Sequence, residues 1–590
     1  MTNFKINNTF EPVLGASIDY LRYFGIKEVD SFLYKPKPSD YESPWKLDNM
    51  QQMIDALHDG FMNNKHFFLQ VDSDTDGMTS SAIFYNYFTT LYPNANITYR
   101  VHEGKEHGVI LDTIPVWTDI VVIPDAGSNQ LDEHEVMSNE GRTVLIMDHH
   151  NVTRSMAFDN VIIVNNQTSP NFKNKDLSGA GVVFKVIQAY DEVYGKKILY
   201  KRYEDLAALG IVADCMDSKN LDNNAIIRNG LSVIYNNLFK ALIDHQKDNP
   251  GWKGKDGSPC KIDVAFYIAP LINGVIRSGT LEEKTQFFEG FINCGSEDII
   301  TSMSRGRLRE ETLYQYLART AYNLKNRQNT AKEKALLALQ QEVEDKGLNK
   351  NKVIIIRTDK IEVPQNITGL AAMDISKIYN KPTLILRPVK ENGKTYYRGS
   401  GRAPQVEGFY DFQHTLLASG LMDYCEGHDN AFGASVLVEN LAPLTAWLND
   451  YLKDIDFTPY EVVDCEMTDE KWSAACLKEF GEMYRVYGNG IPEPKFFFNF
   501  NIRPSDARVI GTDSTSLRIQ YKGITFVTFK NAELIKQFNE ISSFCNTNGL
   551  KINVQIAGAP SINEWQGYKN VQIQSRQIEI GISNKKSSLF

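Results

Sequence analysis

The chain has 590 residues, an apolar fraction of 42% and a formal net charge of −10. This length exceeds what one hydrophobic core supports, so three or four domains are expected. The net negative charge argues against a general nucleic-acid-binding surface. Any contact with nucleic acid is therefore expected at local basic patches. We find neither an apolar signal core nor a run of 18 apolar residues, and the seven cysteines are scattered without a CxxC pair. We therefore expect a cytoplasmic protein with reduced thiols and no membrane span.

The N-terminal half of the sequence predicts an α/β domain over residues 1–280. Residues 1 to about 60 predict a helical preamble. From 66 to about 240, short apolar runs alternate with helical stretches, which is typical of a parallel sheet. Helices are predicted over 77–91 and from 178 through 186.

Three further regions follow in the sequence. Residues 281–345 are charged and poor in Gly and Pro, and they predict a long connecting helix. Residues 346–457 predict a second α/β domain, with strands over 352–357 and 382–387, a helix over 370–379 and two glycine-containing loops at 399–402 and 427–433. Residues 458–590 contain closely spaced alternating runs that predict a small β-barrel, such as an OB-fold.

Aromatic residues of the predicted barrel are candidates for stacking on bases. They are Phe496 to Phe498 and Phe526. In alternating strands half of such residues must face the core, so we expect only some of them to be accessible.

Acidic and histidine residues follow several of the apolar runs, which we interpret as buried parallel strands. They are Asp72, Asp74 and Asp76 after 66–71, Asp125 after 120–124, Asp148, His149 and His150 after 143–147, and Asp214 after 209–213. The carboxyl ends of parallel strands form the ligand-binding edge of such a sheet. Six aspartates and two histidines at one edge would repel one another unless cations lay between them. The sequence therefore predicts two divalent cations, with Mn²⁺ preferred over Mg²⁺.

The first acidic segment has two other interpretations. Asp72-x-Asp74-x-Asp76-Gly77 is similar to the first half of a calcium EF-hand loop, but Ile83 occupies the twelfth position, where a bidentate Glu is required. Capping of the following helix explains one of these aspartates but not three in alternation. Paired cations bridged by a carboxylate are, in contrast, the usual arrangement for hydrolysis of phosphate esters.

The same segments resemble the four motifs of the DHH phosphoesterase superfamily, named for the triad that is here Asp148-His149-His150. The wider layout resembles the RecJ branch, which contains single-strand-specific 5′→3′ exonucleases. The resemblance runs from about residue 14 to about residue 529. It implies a multidomain α/β fold with a parallel-sheet DHH catalytic domain, a long connecting helix, a second, DHH-associated α/β domain and a C-terminal OB-like β-barrel.

The resemblance also implies a role for each matching residue. The implied metal ligands are Asp72, Asp74, Asp76, Asp125 as the bridging carboxylate, His149 and Asp214. The implied catalytic residues are Asp148, which orients the neighbouring imidazole, and His150, which faces the scissile phosphate. The implied substrate-binding residues are Arg277, Ser400, Arg402, Gly427, His428 and His107. The sequence departs from the family at Ser73, where an aromatic residue is common, and at His107, where a tyrosine is common.

The implied activity is the metal-dependent removal of nucleotides from the 5′ end of single-stranded DNA, in repair, recombination or replication. We expect a monomer whose partners are this DNA and a single-strand-binding protein or a helicase, without membrane association. We also expect a passage between the two α/β domains that is too narrow for duplex DNA, which is about 20 Å across.

Two alternative functions remain open at this point. An oligoribonuclease or a cyclic-dinucleotide phosphodiesterase of the same superfamily would have little use for the added barrel. A catalytically inactive replication scaffold would be expected to lose metal ligands, whereas every assigned position here is Asp or His.

Overall fold

The computed structural model describes residues 3–104, 106–154, 156–255, 257–292, 299–304, 306–511, 513–565 and 568–583. The chain forms two compact units, of which the first comprises Met1–Ala321 and Glu461–Phe590 and the second Tyr322–Tyr460. Among the described residues, every helix is too short or too polar to cross a lipid bilayer. The described cysteines are all free thiols.

A five-stranded parallel sheet lies at the centre of the N-terminal region, as predicted. The strands of this region are β1 (Asn3–Ile6), β2 (Phe67–Val71), β3 (Ile97–Val101), β4 (Ile120–Pro124), β5 (Thr143–Asp148) and β6 (Val161–Asn165). The strand order in the sheet is β3-β2-β4-β5-β6, and every pairing is parallel. Strands β2 and β4 are buried along their whole length, which is typical of a parallel sheet covered by helices.

Helices connect and cover these strands. They are α1 (Ala16–Tyr23), α2 (Val29–Leu33), α3 (Met50–Met62), α4 (Thr75–Leu91), α5 (Leu131–Asn139), α6 (Gly179–Val193), α7 (Glu204–Ala213), α8 (Leu221–Gly230), α9 (Asn237–Gln246), α10 (Lys261–Asp263), α11 (Ala269–Ser278) and α12 (Leu281–Ile292). A π-helical turn, Val264–Ile268, joins α10 to α11. Polar side chains begin the two helices predicted from the sequence: Asp74 caps α4 and Ser178 caps α6.

The interpretation of residues 209–213 as a strand is wrong, because they form the end of α7. Every residue from Asp205 to Val212 is buried, so this helix is apolar on all sides and shows no amphipathic period. A short apolar run of this kind looks the same whether it forms a buried strand or a buried helix.

The prediction of a continuous helix over 281–345 is only partly right. A β-hairpin, β7 (Ile299–Ser304) and β8 (Arg307–Thr312), follows α12, and the long helix is α13 (Leu313–Asp345), with 33 residues. The β-branched run at Ile299 and Ile300 favours a strand. Gly306 supplies the positive φ, 75°, of the hairpin turn.

The second unit contains a five-stranded mixed sheet. Its strands are β9 (Ile354–Arg357), β10 (Thr383–Glu391), β11 (Lys394–Arg402), β12 (Met422–His428) and β13 (Ala431–Leu437), and its helices are α14 (Thr368–Tyr379), α15 (Phe412–Ala418) and α16 (Leu441–Tyr451). The strand order is β12-β13-β11-β10-β9. The segment 399–402, predicted as a loop, lies in an antiparallel strand instead, where Ser400 pairs with Ile385 on one side and Gly433 on the other. The second predicted loop, 427–433, is partly right, because residues 429–430 form the turn between β12 and β13. Glycine within a strand permits the close approach of another backbone, and this explains why it was mistaken for a loop signal.

The C-terminal region forms one seven-stranded mixed sheet. Its elements are β14 (Tyr460–Val463), β15 (Cys465–Met467), α17 (Ala474–Glu482), β16 (Phe496–Ile502), β17 (Ala507–Ile510), β18 (Ser516–Tyr521), β19 (Ile524–Thr528), α18 (Ala532–Asn548), β20 (Ile552–Trp565) and β21 (Tyr568–Ile582). The order is β15-β16-β20-β21-β19-β18-β17, while β14 pairs with β1. The edge strands β15 and β17 are not paired with each other among the described residues, so the sheet is a partly open form of the predicted barrel.

The aromatic residues proposed for base stacking belong to the core of this region. Phe496, Phe497, Phe498 and Phe526 are all buried, so none offers an exposed ring. The N-terminal helices pack into the same core: Tyr20 of α1 lies 5.5 Å from Phe480 between ring centroids. Part of the predicted preamble of the first domain therefore supports the C-terminal sheet.

Short 3₁₀ turns complete the secondary structure. They lie at Pro38–Asp40, Pro44–Lys46, Leu111–Thr113, Leu199–Tyr203, Leu348–Lys350, Gln365–Ile367, Val438–Asn440 and Pro504–Asp506.

Candidate metal centre

The acidic segments meet at the carboxyl edge of the parallel sheet. Strands β2, β4 and β5 are neighbours. Asp74 and Asp76 follow β2 at the start of α4, Asp125 follows β4, and Asp148 ends β5. The remaining segment arrives from a helix, because Asp214 is the C-terminal cap of α7.

His149 lies at the centre of this cluster. Its Nε2 atom is 3.3 Å from Oδ1 of Asp125 and 3.5 Å from Oδ2 of Asp214. Two sets of potential metal-ligand atoms, each within 4.8 Å of one another, share this histidine: one comprises Asp76, His149 and Asp214, and the other comprises Asp125, His149 and His150. The described residues thus offer two adjacent ligand sets of mixed carboxylate and imidazole character, which suits Mn²⁺ and Mg²⁺.

Asp125 provides a structural reason to place a cation here. Its side chain is buried, and its Oδ1 atom accepts no hydrogen bond from any described residue. A buried carboxylate oxygen without a donor destabilises the folded state. A divalent cation beside His149 would satisfy this oxygen, so the residues present fit a metal centre.

The charges of the cluster shift the acid–base equilibria of its carboxyl groups. Burial and the neighbouring charge of Asp76 raise the pKa of Asp74 to about 6. The same two causes raise the pKa of Asp214 to about 8 and hold that of Asp125 well above its usual range. A bound cation reverses this effect, because it favours the deprotonated carboxylates.

These shifts predict how the stability of the metal-free protein depends on pH. The folded-state pKa values of Asp74 and Asp214 exceed the unfolded value of about 3.9, so folding favours protonation. The resulting stability is present at low pH and is lost as pH rises through about 6 and then about 8. We expect the melting temperature in EDTA to fall between pH 6 and pH 8.5, and we expect Asp214→Asn to flatten the upper part of this fall. A melting temperature of the variant that falls as steeply as that of the wild type would contradict the assignment.

Asp76 joins two helices at the site. Its carboxylate accepts hydrogen bonds from Ser178 Oγ at 2.9 Å and from the backbone N–H of Gly179 at 2.7 Å. A carboxylate at the N-terminus of α6 is stabilised by the helix dipole. The sequence indicated a helix start at Ser178 but did not reveal that its first turn holds a residue of the acidic cluster.

Gly210 allows α7 to pass close to Asp76. A Cβ atom at Gly210 would lie 2.3 Å from Asp76 Oδ1 and 2.5 Å from the Cβ atom of Ala180. We therefore expect Gly210→Ala to lower the free energy of unfolding by about 1–3 kcal/mol, measured by urea denaturation. Gly581→Ala is the matched control, because its added Cβ would meet no atom within 4 Å. Equal stability of the two variants would show that α7 can move aside.

Asp148 and His150 form a pair beside the two ligand sets. Asp148 Oδ1 lies 2.8 Å from His150 Nδ1 and accepts a hydrogen bond from the backbone N–H of His149 at 2.7 Å. The imidazole that Asp148 contacts is therefore that of His150. Burial alone would raise the pKa of Asp148, but the hydrogen bond and charge of His150 lower it below its usual range. The same hydrogen bond raises the pKa of His150 to about 9.

Asp72 is engaged with the loop that carries His107. Its Oδ1 atom accepts a hydrogen bond from the backbone N–H of Gly108 at 3.0 Å, and its Oδ2 atom lies 3.0 Å from His107 Nδ1. His102 lies behind it, with Nε2 at 3.7 Å from Oδ1. Asp72 belongs to neither ligand set, so its role as a metal ligand stays a prediction, as does that of Asp74. The side chain of His107 is largely exposed at the site.

Arg277 reaches the site from α11. It lies exposed in the last turn of that helix, close enough to Asp74 for the charges of the two side chains to interact. The same helix contacts the start of α4, because Thr75 Oγ1 donates a hydrogen bond to Asn273 Oδ1 at 3.1 Å. The predicted cationic residue is thus close to the acidic edge.

The remaining predicted substrate-binding residues lie in the second unit. Ser400 and Arg402 are two positions apart on β11 and so share a face. A Cβ atom at Gly369, in the first turn of α14, would lie 2.7 Å from Arg402 Nη2 and 3.6 Å from Ser400 Oγ. Gly427 lies in β12 with a φ of 136°, and the side chain of His428 lies outside the described part of the structure.

Two segments of the sequence match known protein families. Residues 67–211 match the family model described as the DHH family, N-terminal domain, and residues 463–577 match the RecJ OB domain. The class is therefore a DHH domain followed by a RecJ OB domain.

Individual relatives extend the match over nearly the whole chain. The sequence is 33% identical, over 92% of each chain, to a Bacillus subtilis (strain 168) protein named as an SPbeta prophage-derived single-strand DNA-specific exonuclease, YorK. It is 23% identical, over 96% of this chain and 68% of the relative, to the single-stranded-DNA-specific exonuclease RecJ of the same strain. The crystal structure of RecJ from Thermus thermophilus in complex with Mn²⁺ shares the fold with a TM-score of 0.68 and 20% identity, over 98% of this chain and 79% of that one. The chain belongs to the RecJ family of single-strand DNA-specific exonucleases.

Proposed function

We propose that this protein is a metal-dependent exonuclease that hydrolyses single-stranded DNA from its 5′ end and releases nucleotides. The observation that carries this proposal is the pair of ligand sets that share His149, next to a buried Asp125 oxygen without a hydrogen-bond donor. Membership of a family named for single-strand DNA-specific exonucleases supports the substrate class.

The ligand chemistry favours two divalent cations, with Mn²⁺ preferred and Mg²⁺ as the alternative. RecJ of Thermus thermophilus has been solved in complex with each of these ions. Asp76, Asp125, His149 and Asp214 would hold them, together with Asp72 and Asp74. When bound, the cations would lower the pKa of an attacking water and offset charge on the phosphate oxygens.

The protein's own groups would position the scissile phosphate. Asp148 fixes Nδ1 of His150, which leaves Nε2 of this exposed imidazole as the atom that can donate to a phosphate oxygen. His107 and Arg277 lie at the same edge and would add contacts to the phosphate backbone of the strand.

The second unit would recognise the terminal phosphate of the DNA. Ser400 and Arg402 lie beside the first turn of α14, where backbone N–H groups and the helix dipole favour an anion. The bidentate geometry of an arginine guanidinium suits a phosphate better than a lysine would. Gly427 and His428 would complete this contact.

An end-resolved nuclease assay tests the proposal. We expect 5′-phosphorylated single-stranded DNA to be degraded from the 5′ end with Mn²⁺, and blunt duplex DNA to be degraded much more slowly. EDTA should abolish both reactions. Equal rates on single strand and duplex would contradict the single-strand specificity, and hydrolysis of only dinucleotides would favour a small-substrate phosphodiesterase.

The two alternative functions fit the molecule less well. A cyclic-dinucleotide phosphodiesterase has no need of the RecJ OB domain, which spans residues 463–577. An inactive scaffold is disfavoured because the ligand positions keep Asp and His and cluster in space.

The cellular context follows from the same activity. We infer that the protein acts as a monomer in the cytoplasm, on strands exposed by a helicase or coated by a single-strand-binding protein. Mass photometry and pull-down with these partners would test this inference.

A further inference from the structure

The first unit contains a cavity whose lining includes none of the proposed metal ligands. Its volume is about 520 Å³, and its wall combines the end of α7, the π-helical turn and residues 488–495 of the C-terminal region. Most of the lining is apolar, and the residues that contribute it include Val212, Met216, Ile262, Phe266, Pro492 and Ala559. A concave, mainly apolar cavity with a few polar groups is the usual form of a small-molecule site.

The cavity wall contains four charged side chains. Lys253 pairs with Glu493 and Lys495 pairs with Glu461, so among the described residues the remaining charge without an ion pair is that of a buried lysine. Lys261 lines the cavity and is 3% exposed. The described residues give its Nζ atom one hydrogen-bond partner, Ser218 Oγ at 3.1 Å, and no ion pair. Burial lowers the pKa of this ammonium group to about 7, with a further contribution from the charge of Arg228.

Another buried lysine of the same unit shows what a structural lysine requires. Lys185 is also fully buried, but its Nζ atom contacts Asp222 Oδ1 at 2.6 Å and the Glu42 carbonyl oxygen at 2.8 Å. An ammonium without a carboxylate destabilises the folded state, whereas methionine would fill similar space without a charge. The stability of the fold therefore gives no reason for a lysine at position 261. Its buried ammonium group suits an anionic ligand that binds in the cavity.

Two further features mark the cavity as a binding site. The π-helical turn that contributes part of its wall is a rare conformation that recurs at functional sites. Phe266, on this turn, is 71% exposed although it lies beside the cavity. An exposed aromatic ring next to a buried cation suits a ligand with a flat apolar body and one anionic end.

Part of the cavity wall is adjacent in sequence to a proposed metal ligand. Cys215 and Ser218 line it, and this turn directly follows Asp214. Ser218 N–H and Oγ donate hydrogen bonds to the carbonyl oxygen of Asn489 at 3.0 and 2.6 Å, and Asn489 Nδ2 donates to the carbonyl oxygen of Cys215. A ligand that contacts Ser218 would therefore act on the segment that positions Asp214.

We propose that this cavity binds a small organic anion whose anionic group accepts a hydrogen bond from the ammonium group of Lys261, beside Ser218, and whose apolar body packs against Phe266 and Met216. Nucleoside 5′-monophosphates have this chemistry, and they are the products of the proposed reaction. The choice of a nucleotide rests on the proposed function, whereas the anion site itself rests on the cavity and Lys261.

Titration calorimetry in EDTA tests this site without turnover. The probes are dAMP, octanoate as an aliphatic anion, and inorganic phosphate as an anion without an apolar body. We expect dAMP to bind the wild type, and we expect Lys261→Met to weaken binding by about tenfold or more, as loss of a hydrogen bond from a charged group does. Ala265→Phe, which narrows the cavity, should weaken binding in the same way. Lys247→Met is the control, because Lys247 is an exposed lysine paired with Asp244.

Each outcome decides one part of the proposal. Unchanged dAMP binding by Lys261→Met, or binding of inorganic phosphate as tight as that of dAMP, would overturn the site. Binding of octanoate but not dAMP, still dependent on Lys261, would keep the anion site and refute the nucleotide. A melting temperature of Lys261→Met at or above that of the wild type would show that the variant is folded. The nuclease assay is independent of all these measurements, so failure of this site leaves the proposed function untouched.

Discussion

Asp125→Asn is expected to lower the rate of single-strand hydrolysis by about 10³-fold and to stabilise the metal-free protein. The substitution keeps the shape of the side chain but removes the carboxylate that lies 3.3 Å from His149 Nε2. The loss of activity follows because a neutral amide would hold the proposed cations much less tightly than a carboxylate does. The gain in stability follows because burial and the charges of Asp76 and Asp74 disfavour an ionised Asp125 when no cation is bound.

Two measurements separate a metal ligand from a purely structural residue. The first is the rate on 5′-phosphorylated single-stranded DNA, and the second is the melting temperature in EDTA and in Mn²⁺. We expect Mn²⁺ to raise the melting temperature of the wild type much more than that of Asp125→Asn. Asp132→Asn, at an exposed position of α5, should behave like the wild type in both. An Asp125→Asn variant with wild-type activity, or with an undiminished response to Mn²⁺, would refute the metal centre.

The acidic edge could be predicted because its information is local. Strands β2, β4 and β5 are each marked by a buried apolar run that ends in Asp, and parallel strands present their carboxyl ends at one edge. Asp214 was assigned to the same edge for a wrong reason, since it follows a buried helix rather than a strand. The apolar run before it does not distinguish the two, because burial on all sides removes the amphipathic period.

The features that escaped prediction depend on contacts between distant parts of the chain. The alternation of strand residues predicted that some of the aromatic side chains at 496–498 would be accessible. Phe4 of the N-terminal strand instead covers Phe497, with ring centroids 4.8 Å apart. The role of Gly210 depends on the approach of α7 to Asp76, which no local pattern encodes. Lys261 likewise has no local signature, because its burial requires the C-terminal region to close over α10.

His150→Gln is expected to lower the rate of hydrolysis by about 10²–10³-fold while leaving the response to Mn²⁺ intact. Asp148 holds Nδ1 of this imidazole at 2.8 Å, so the group that faces outward is Nε2. Glutamine retains a polar side chain but supplies neither a positive charge nor a transferable proton. Asp148→Asn should cause a partial loss of the same kind, because it removes the acceptor that fixes the orientation of the ring.

The response to Mn²⁺ decides between two roles for His150. This residue also belongs to the ligand set with Asp125 and His149, so the geometry permits direct metal binding as well as contact with the phosphate. If His150→Gln loses both activity and the Mn²⁺-induced rise in melting temperature, His150 is a metal ligand and the phosphate-facing role is wrong. If only activity is lost, the imidazole acts on the substrate. His66→Gln provides the control, because His66 is half-exposed and directly precedes the amino end of β2, at the opposite edge of the sheet.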